Sequence, residues 1–477
     1  MKKIHVDVAV IGAGSAGLAA FRAAKSHGAS TLLIERGPHG TTCARVGCMP
    51  TKLLIAAAEA AHGAAHAAGF GIHANPVRVD GAEVMARVRA ERDRFVGFVL
   101  DGMEQIDPAE RLSGNAQFLS AQQLQVDDHT LIHAQRIVIA TGSRPFIAPE
   151  FAALKERVMT SDDVFDLTEL PESIAVIGAG VIGLELGQAL HRLGVRVVLY
   201  GRENKIAGLS DPLVRDSALA CIGAEMTMRP DCRELTVERL GDGVEVQSTA
   251  PDGTKHREQF SRVLVATGRV PNLESLQLHH AGLVVDARGT PQFNTTTMQC
   301  GDSTIFIAGD VDGERTLLHE AVDQGQIAGD NAGRFPVVLP GLRRALLAVV
   351  FSDPQIAMVG MSFAKLASRR VAIGSIDFAG QGRSRVMRQN CGLLRVYGDF
   401  ESGRFLGAEM ACPRAEHLAH LLAWACQSQM TVAQMLTMPF YHPVVEEGLR
   451  TALRELQRQI DQGPPLSEQC DACTPGM

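Results

Sequence analysis

Two stretches of the chain repeat one pattern of apolar and small residues. In the first, Val6, Val8, Val10 and Ile11 mark a short strand and Gly12-Ala13-Gly14-Ser15-Ala16-Gly17 a turn. A helix runs on through Leu18-Ala19-Ala20 to about His27, and Thr31-Leu32-Leu33-Ile34 forms a second strand ending in Glu35. In the second stretch, Ser173–Ile177 leads through Gly178-Ala179-Gly180-Val181-Ile182-Gly183 into a helix Leu184–Leu193 and a strand Val195–Tyr200. Strands that are apolar on both faces need cover on both sides, and the strand–helix–strand rhythm supplies it. The pattern therefore predicts parallel sheets flanked by helices, an α/β fold. A further alanine-rich helix is expected from Leu53 to about His66, with Pro50 in its first turn.

The glycine spacing adds chemistry to this frame. Gly12 permits a tight turn, Gly14 lets backbone approach a pyrophosphate, and Gly17 lets the helix pack on the strand. The helix N-terminus, with Ser15 at its start, turns N–H groups and positive dipole towards phosphates. Glu35, about 20 residues further on, is placed to accept hydrogen bonds from a ribose hydroxyl pair. Strand, turn, helix, strand and terminal acid together predict a dinucleotide site, and Gly178, Gly180 and Gly183 predict another. The second strand of that other unit ends in Tyr200-Gly201-Arg202, with no acid. An acid selects NAD through the free 2′-hydroxyl, whereas an arginine accommodates the 2′-phosphate of NADP. Arg202 leans this site towards NADP; a solvated surface charge is the alternative.

Length and composition fit such a frame. At 477 residues the chain exceeds one hydrophobic core, so two to four domains are expected. Hydrophobic residues at 46% and charged residues at 21% are those of a globular protein. A net charge of −7 gives no general attraction for nucleic acid or anionic membrane. No apolar run is long enough to span a bilayer. The start Met1-Lys2-Lys3 imitates a signal peptide, but Asp7 interrupts the apolar run and the glycines suit a phosphate loop, so a cytoplasmic location is expected. Ten cysteines in this length are no disulfide framework, and most are expected to be small core residues. The closely spaced pairs Cys43/Cys48 and Cys470/Cys473 stand apart.

The first pair lies in Thr41-Thr42-Cys43-Ala44-Arg45-Val46-Gly47-Cys48-Met49-Pro50-Thr51-Lys52. With Pro50 in the first turn of the following helix, Cys48 sits at its positive end, which favours a thiolate. Two cysteines so spaced can close a small disulfide or bind metal. A zinc site wants two further ligands in matched spacing; none are found, so a redox disulfide is favoured and no metal is expected.

This segment resembles the active-site signature of the flavoprotein pyridine nucleotide-disulfide oxidoreductases, and the likeness covers nearly the whole chain. Ala140-Thr141-Gly142-Ser143-Arg144-Pro145 and Ala266-Thr267-Gly268-Arg269-Val270-Pro271-Asn272 resemble the family's two crossover strands. Thr304-Ile305-Phe306-Ile307-Ala308-Gly309-Asp310 resembles its second FAD motif, and Val350-Phe351-Ser352-Asp353-Pro354-Gln355-Ile356-Ala357 the start of its interface domain. Tyr441-His442-Pro443-Val444-Val445-Glu446-Glu447 resembles its His-Pro motif.

The resemblance implies two Rossmann-like domains plus a C-terminal α+β dimerisation domain. FAD is expected on 1–150 and 271–345, NAD or NADP on 151–270, and dimer contacts on 346–465, with 466–477 as a flexible tail. It also implies a homodimer in which the imidazole serves the partner subunit's disulfide. By the same likeness Cys48 faces the flavin, Cys43 is the interchange thiol, His442 the acid–base and Glu447 its partner. Lys52 and Glu185 match an ion pair beside the flavin ring, and Thr42, Thr141, Gly142, Gly268, Asp310 and His319 fall where the family contacts its cofactors.

The substrate implied is a small dithiol or disulfide, or a lipoyl group carried by a partner protein, and the nearest member in type is dihydrolipoamide dehydrogenase. Mercuric reductase relatives replace the His-Pro stretch and soluble transhydrogenases lack the cysteine pair. A glutathione site needs several cationic contacts, and Arg22 alone falls at a suggestive place. Two departures leave an NADPH-dependent reductase of the glutathione or mercuric type as the alternative. These are Gly201-Arg202, and Phe440-Tyr441 where a further histidine usually precedes His442-Pro443. A reading of another class is a non-catalytic FAD-binding protein. Cys470 and Cys473, beyond the linker Gln462-Gly463-Pro464-Pro465, are either an electron relay or an idle tail.

Overall fold

In the computed structural model, which describes residues 1–73 and 76–464, the first apolar run becomes strand Lys2–Ile11 at the centre of a seven-stranded sheet. Thr31–Glu35 pairs with it in parallel on one side and Thr130–Ile139 on the other. Strand Ile305–Ile307 pairs in parallel with Thr130–Ile139, so the chain returns to its first sheet after building the second unit. Cys470 and Cys473 lie outside the described residues.

A glycine stripe brings the returning segment into place. Helix Ser15–Ser26 buries Ala16, Ala20, Ala23 and Ala24, and helix Leu318–Gly333 lies against that face. A Cβ at Gly325 would stand 2.2 Å from the carbonyl oxygen of Ala16, and one at Gly329 2.3 Å from that of Ala20. Residues four apart share one helix face, so glycine at each of these positions lets two backbones touch. Any side chain there would push Asp310, which precedes this helix, away from the first sheet.

The second unit is a five-stranded parallel sheet, in the spatial order Thr227–Arg229, Arg196–Tyr200, Ser173–Ile177, Arg262–Val265, Val158–Met159. Its helix begins at Val181, before the expected Leu184, because Gly180 is already the N-cap. The C-terminal portion is a five-stranded antiparallel sheet formed by segments between Leu347 and Cys412. Helix Glu446–Gln462 covers it with Leu449, Ala452, Leu453 and Leu456 on one face. Among the described residues no helix is long and apolar enough to cross a membrane.

Buried charge joins the second unit to the antiparallel sheet. Asp211 is fully buried and accepts from Arg395 at 2.6 Å and from the Tyr397 hydroxyl at 2.9 Å. Glu409, also fully buried, accepts from the backbone N–H of Asp211 and of Phe363, each at 2.8 Å. Leaving one such buried charge unpaired costs about 3–5 kcal/mol, so these contacts hold the two parts in register. Cysteine usage differs from the sequence expectation. Cys232, Cys300 and Cys412 are buried as expected, but Cys221 and Cys391 are joined to each other. Their sequence separation of 170 hides them from any reading based on spacing.

Candidate active site

Cys43 and Cys48 sit at a break between two helices. Thr42–Val46 forms the first, capped by Thr41, whose hydroxyl accepts from the Ala44 N–H at 3.3 Å. Gly47 then turns the chain, and the helix Cys48–His66 begins. A Cβ on Gly47 would lie 3.2 Å from the Cys43 Cα and 3.0 Å from the Thr42 carbonyl oxygen, so a side chain there would press the turn apart by a few tenths of an ångström. Cys48 thus occupies the first position of a 19-residue helix, where unpaired N–H groups favour negative charge.

Both thiols are free, Cys48 exposed and Cys43 half-buried. The Cys43 thiol donates to the Cys48 sulfur, and this hydrogen bond, helped by the Lys52 ammonium, brings Cys48 down to about 7 against the desolvation of its sulfur. The same bond, with burial, holds the Cys43 proton tightly and pushes that thiol well up. One sulfur is thereby prepared as a thiolate and the other as its proton donor.

Lys52, one turn along the helix, meets Glu185 at 2.8 Å. Glu185 comes from helix Val181–Arg192, is 4% exposed, and also accepts from the Phe351 N–H at 2.9 Å. The Lys52 ammonium lies 4.6 Å from the centre of the Phe351 ring, a favourable cation–π distance. Phe351 was not singled out in the sequence; its place at the start of the antiparallel domain motif was the available signal.

Gly12, Gly14, Glu35, Thr42, Thr141 and Gly142 line one cleft of about 280 Å³. At Gly12, φ is +104° and a Cβ would stand 2.3 Å from the Ala140 carbonyl oxygen. At Gly17, beneath the turn, it would stand 1.8 Å from that of Gly12. Around Gly14 the space is open, the cradle an approaching pyrophosphate requires. Glu35 accepts from the N–H of Ala13 at 2.7 Å and of Gly37 at 2.8 Å, which aims its carboxylate at the cleft wall. Asp310 adjoins the cleft through Ser143, whose hydroxyl donates to it at 3.1 Å and accepts from Arg269 at 2.9 Å. Burial raises the Asp310 carboxyl above its ordinary value. Beyond it, buried polar atoms of Asp312, His319 and Gln324 have no partner among the described residues. The sequence names Ser143 and Arg269 only as members of the crossover motifs, and Gln324 carries no motif signal.

Gly178, Gly180 and Gly183 copy this geometry. Gly178 has φ +113°, a Cβ there would stand 2.4 Å from the Ala266 carbonyl oxygen, and one at Gly183 would stand 2.0 Å from that of Gly178. Gly180 faces open space, and Gly268 follows strand Arg262–Val265 with φ +134°. Arg202 is exposed and forms no ion pair among the described residues, while its neighbour Glu203 is paired with Lys205 at 2.6 Å.

His442 and Glu447 form a separate cluster. The imidazole Nδ1 lies 3.0 Å from Glu447, whose carboxyl this contact lowers. His442 is 79% exposed and makes no hydrogen bond to the cysteine pair of its own chain. Arg22 is an exposed charge on helix Ser15–Ser26.

Residues 6–325 match the family model described as pyridine nucleotide-disulphide oxidoreductase, and residues 347–453 match that family's dimerisation domain. The dihydrolipoyl dehydrogenase of Haloferax volcanii is 31% identical over 466 residues, covering 94% of this chain and 95% of that protein. That of Geobacillus stearothermophilus is 31% identical, covering 93% and 94%. Among solved structures, LpdA from Mycobacterium tuberculosis has a TM-score of 0.80 at 23% identity, over 96% of this chain and 100% of that one. A Cu(II) complex of a cysteine-to-serine mutant of the HOCl-induced flavoprotein disulfide reductase RclA from Escherichia coli has a TM-score of 0.79 at 22% identity, over 96% and 99%. The chain belongs to the pyridine nucleotide-disulphide oxidoreductases, FAD- and NAD(P)-dependent enzymes, and is an oxidoreductase of the dihydrolipoyl dehydrogenase type.

Proposed function

We propose that the chain moves two electrons between NADPH and a small dithiol or disulfide through Cys43 and Cys48, with dihydrolipoamide or lipoamide as the preferred partner. The observation that carries this reading is the asymmetric thiol pair, one sulfur prepared as thiolate at a helix start beside Lys52. Support for the substrate comes from the relatives' names. Support for NADPH is the exposed Arg202 where an NAD site has an acid. FAD when bound carries electrons between nicotinamide and the cysteine pair. Its binding is assigned to 1–150 and 271–345, that of NADPH to 151–270, and the dimer contact to 346–465.

With the pair reduced, Cys43 loses its proton to His442 of the partner subunit and attacks one sulfur of the substrate disulfide. The substrate bond breaks, and the imidazolium returns the proton to the departing thiolate. Glu447 holds the imidazole and stabilises its cation. The Cys48 thiolate then attacks Cys43, expels the second substrate thiol, which takes up a proton, and closes the Cys43–Cys48 disulfide. Oxidation of a dithiol runs the same steps backwards. Lys52, held by Glu185, keeps positive charge beside Cys48 and the flavin position.

Steady-state rates with NADH and NADPH against lipoamide and glutathione disulfide test the reading. Lipoamide turnover exceeding glutathione turnover, with NADPH preferred, is expected; much faster glutathione turnover overturns the substrate assignment. His442→Ala should slow transfer to the substrate about 100-fold or more while NADPH still reduces the cysteine pair.

A further inference from the structure

We propose that Cys221 and Cys391 are a second, reversible dithiol/disulfide site, which straps the second dinucleotide unit to the antiparallel domain behind the active-site helix. Their Cα atoms stand 6.1 Å apart, a span that a disulfide bridges without backbone movement. Cys221 lies in the last turn of helix Pro212–Gly223, and Cys391 between helix Gly382–Met387 and strand Leu393–Asp399. Cys391 is exposed and Cys221 half-buried, so a small oxidant or dithiol reaches the bond from the Cys391 side.

The elements that meet at this point make the strap consequential. The other end of helix Pro212–Gly223 is capped by Asp211, itself bound to Arg395 and Tyr397 just beyond Cys391. Glu225, just past the helix, pairs with Arg192 at 2.6 Å and with His62 of the active-site helix at 3.3 Å. Arg192 in turn reaches Asp353 of the antiparallel domain at 2.8 Å. Three residues before Cys391, Arg388 donates to the Gly69 carbonyl at 3.2 Å and lies 5.8 Å from the Phe70 ring centre. Gly69 and Phe70 form the turn that ends the helix begun by Cys48. Helix Pro212–Gly223 is thus tied by charge at one end and by sulfur at the other, and the segment bearing Cys391 also holds the far end of the active-site helix. Ionic contacts exchange with water, whereas a closed disulfide does not open without a reductant.

The chemistry balances with a low-molecular-weight disulfide as oxidant. The Cys391 thiolate attacks one of its sulfurs and releases one thiol; the Cys221 thiolate then attacks the Cys391 sulfur and releases the second. Two electrons pass to the small disulfide, and both protons leave on its thiols. A dithiol reverses each step. Where a cellular compartment keeps thiols reduced, disulfides that do form are usually transient, catalytic or redox-sensing, the behaviour that a bond open to solvent on its Cys391 side suits.

The test uses flavin-loaded enzyme equilibrated with glutathione disulfide or with dithiothreitol, then alkylated, digested without reduction and analysed by mass spectrometry, alongside thermal melting. A linked peptide pair containing Cys221 and Cys391 is expected after oxidation, absent after dithiothreitol and absent in Cys221→Ser or Cys391→Ser. The oxidised wild type should melt about 5 °C above the reduced form, because a long loop is closed, and Cys391→Ser should lose that difference. Full alkylation of both cysteines after oxidation overturns the proposal, as does a link that dithiothreitol leaves intact in the folded protein. An equal melting shift in wild type and Cys391→Ser assigns the effect to Cys43/Cys48 and overturns it too.

Discussion

The two glycine-turn units share the same glycine geometry and part company at the residue that ends the second strand. Gly12 and Gly178 have φ of +104° and +113°, and Gly17 and Gly183 each press on the carbonyl of the first glycine. At the strand end, however, Glu35 is tied to the backbone N–H groups of Ala13 in the glycine turn and of Gly37 just beyond it, whereas Arg202 stands exposed without an ion pair among the described residues. The comparison teaches that steric necessity sets the phosphate cradle, which is therefore the same twice. Under the proposed assignment, ligand choice rests on a side chain that packing leaves free to differ. The first unit has its acid held in place before any ligand arrives; the second presents a cation that a phosphate would have to order.

Matched substitutions should break the comparison most sharply. Gly17→Val should yield protein without bound flavin, while Gly183→Val should keep its yellow colour and lose flavin reduction by NAD(P)H. Absorbance spectra with and without nicotinamide check both, and loss of flavin in both variants would mean the units are not independent. Glu35→Ala should weaken flavin retention about 10–100-fold, the loss of charge-assisted hydrogen bonds to a ribose, read by dialysis against apoprotein recovery. Arg202→Glu should lower the NADPH-to-NADH ratio of kcat/KM about tenfold or more with flavin content unchanged. A ratio that does not move would make Arg202 a plain surface charge.

The smallest effect concerns the thiol pair. Cys48 is depressed to about 7, so its thiolate is present above that pH and is lost as pH falls through it. The long-wavelength visible absorbance of the two-electron-reduced enzyme should follow the same midpoint. Cys43→Ala, read with its flavin oxidised because it has no disulfide to reduce, removes the largest cause and should raise the midpoint by about a unit; Lys52→Met should raise it less.

The sequence carried much of this in short windows. The turns at Gly12 and Gly178 are legible because tight φ and close backbone approach are demands of a few neighbouring atoms. The same holds for Cys43 and Cys48, five residues apart around a glycine where a side chain would crowd the turn. Helix Val181–Arg192 began a turn early because N-capping by Gly180 outweighs the position of the first leucine. The exposure of His442 was not legible, since burial depends on what else packs there.

By itself, then, the sequence determined the glycine cradles, the placement of Cys48 at a helix start and the family to which these motifs point. The contacts that tie the parts together were decided by the tertiary structure. The glycine stripe of helix Leu318–Gly333 has meaning only once Ser15–Ser26 lies against it, and Asp211 with Arg395 only once two sheets meet. Cys221 and Cys391 are ordinary residues until the fold brings their Cα atoms to 6.1 Å. Steric rules act between chain neighbours and leave a local signature. Pairing across the molecule depends on where whole sheets come to rest, which many distributed contacts settle jointly.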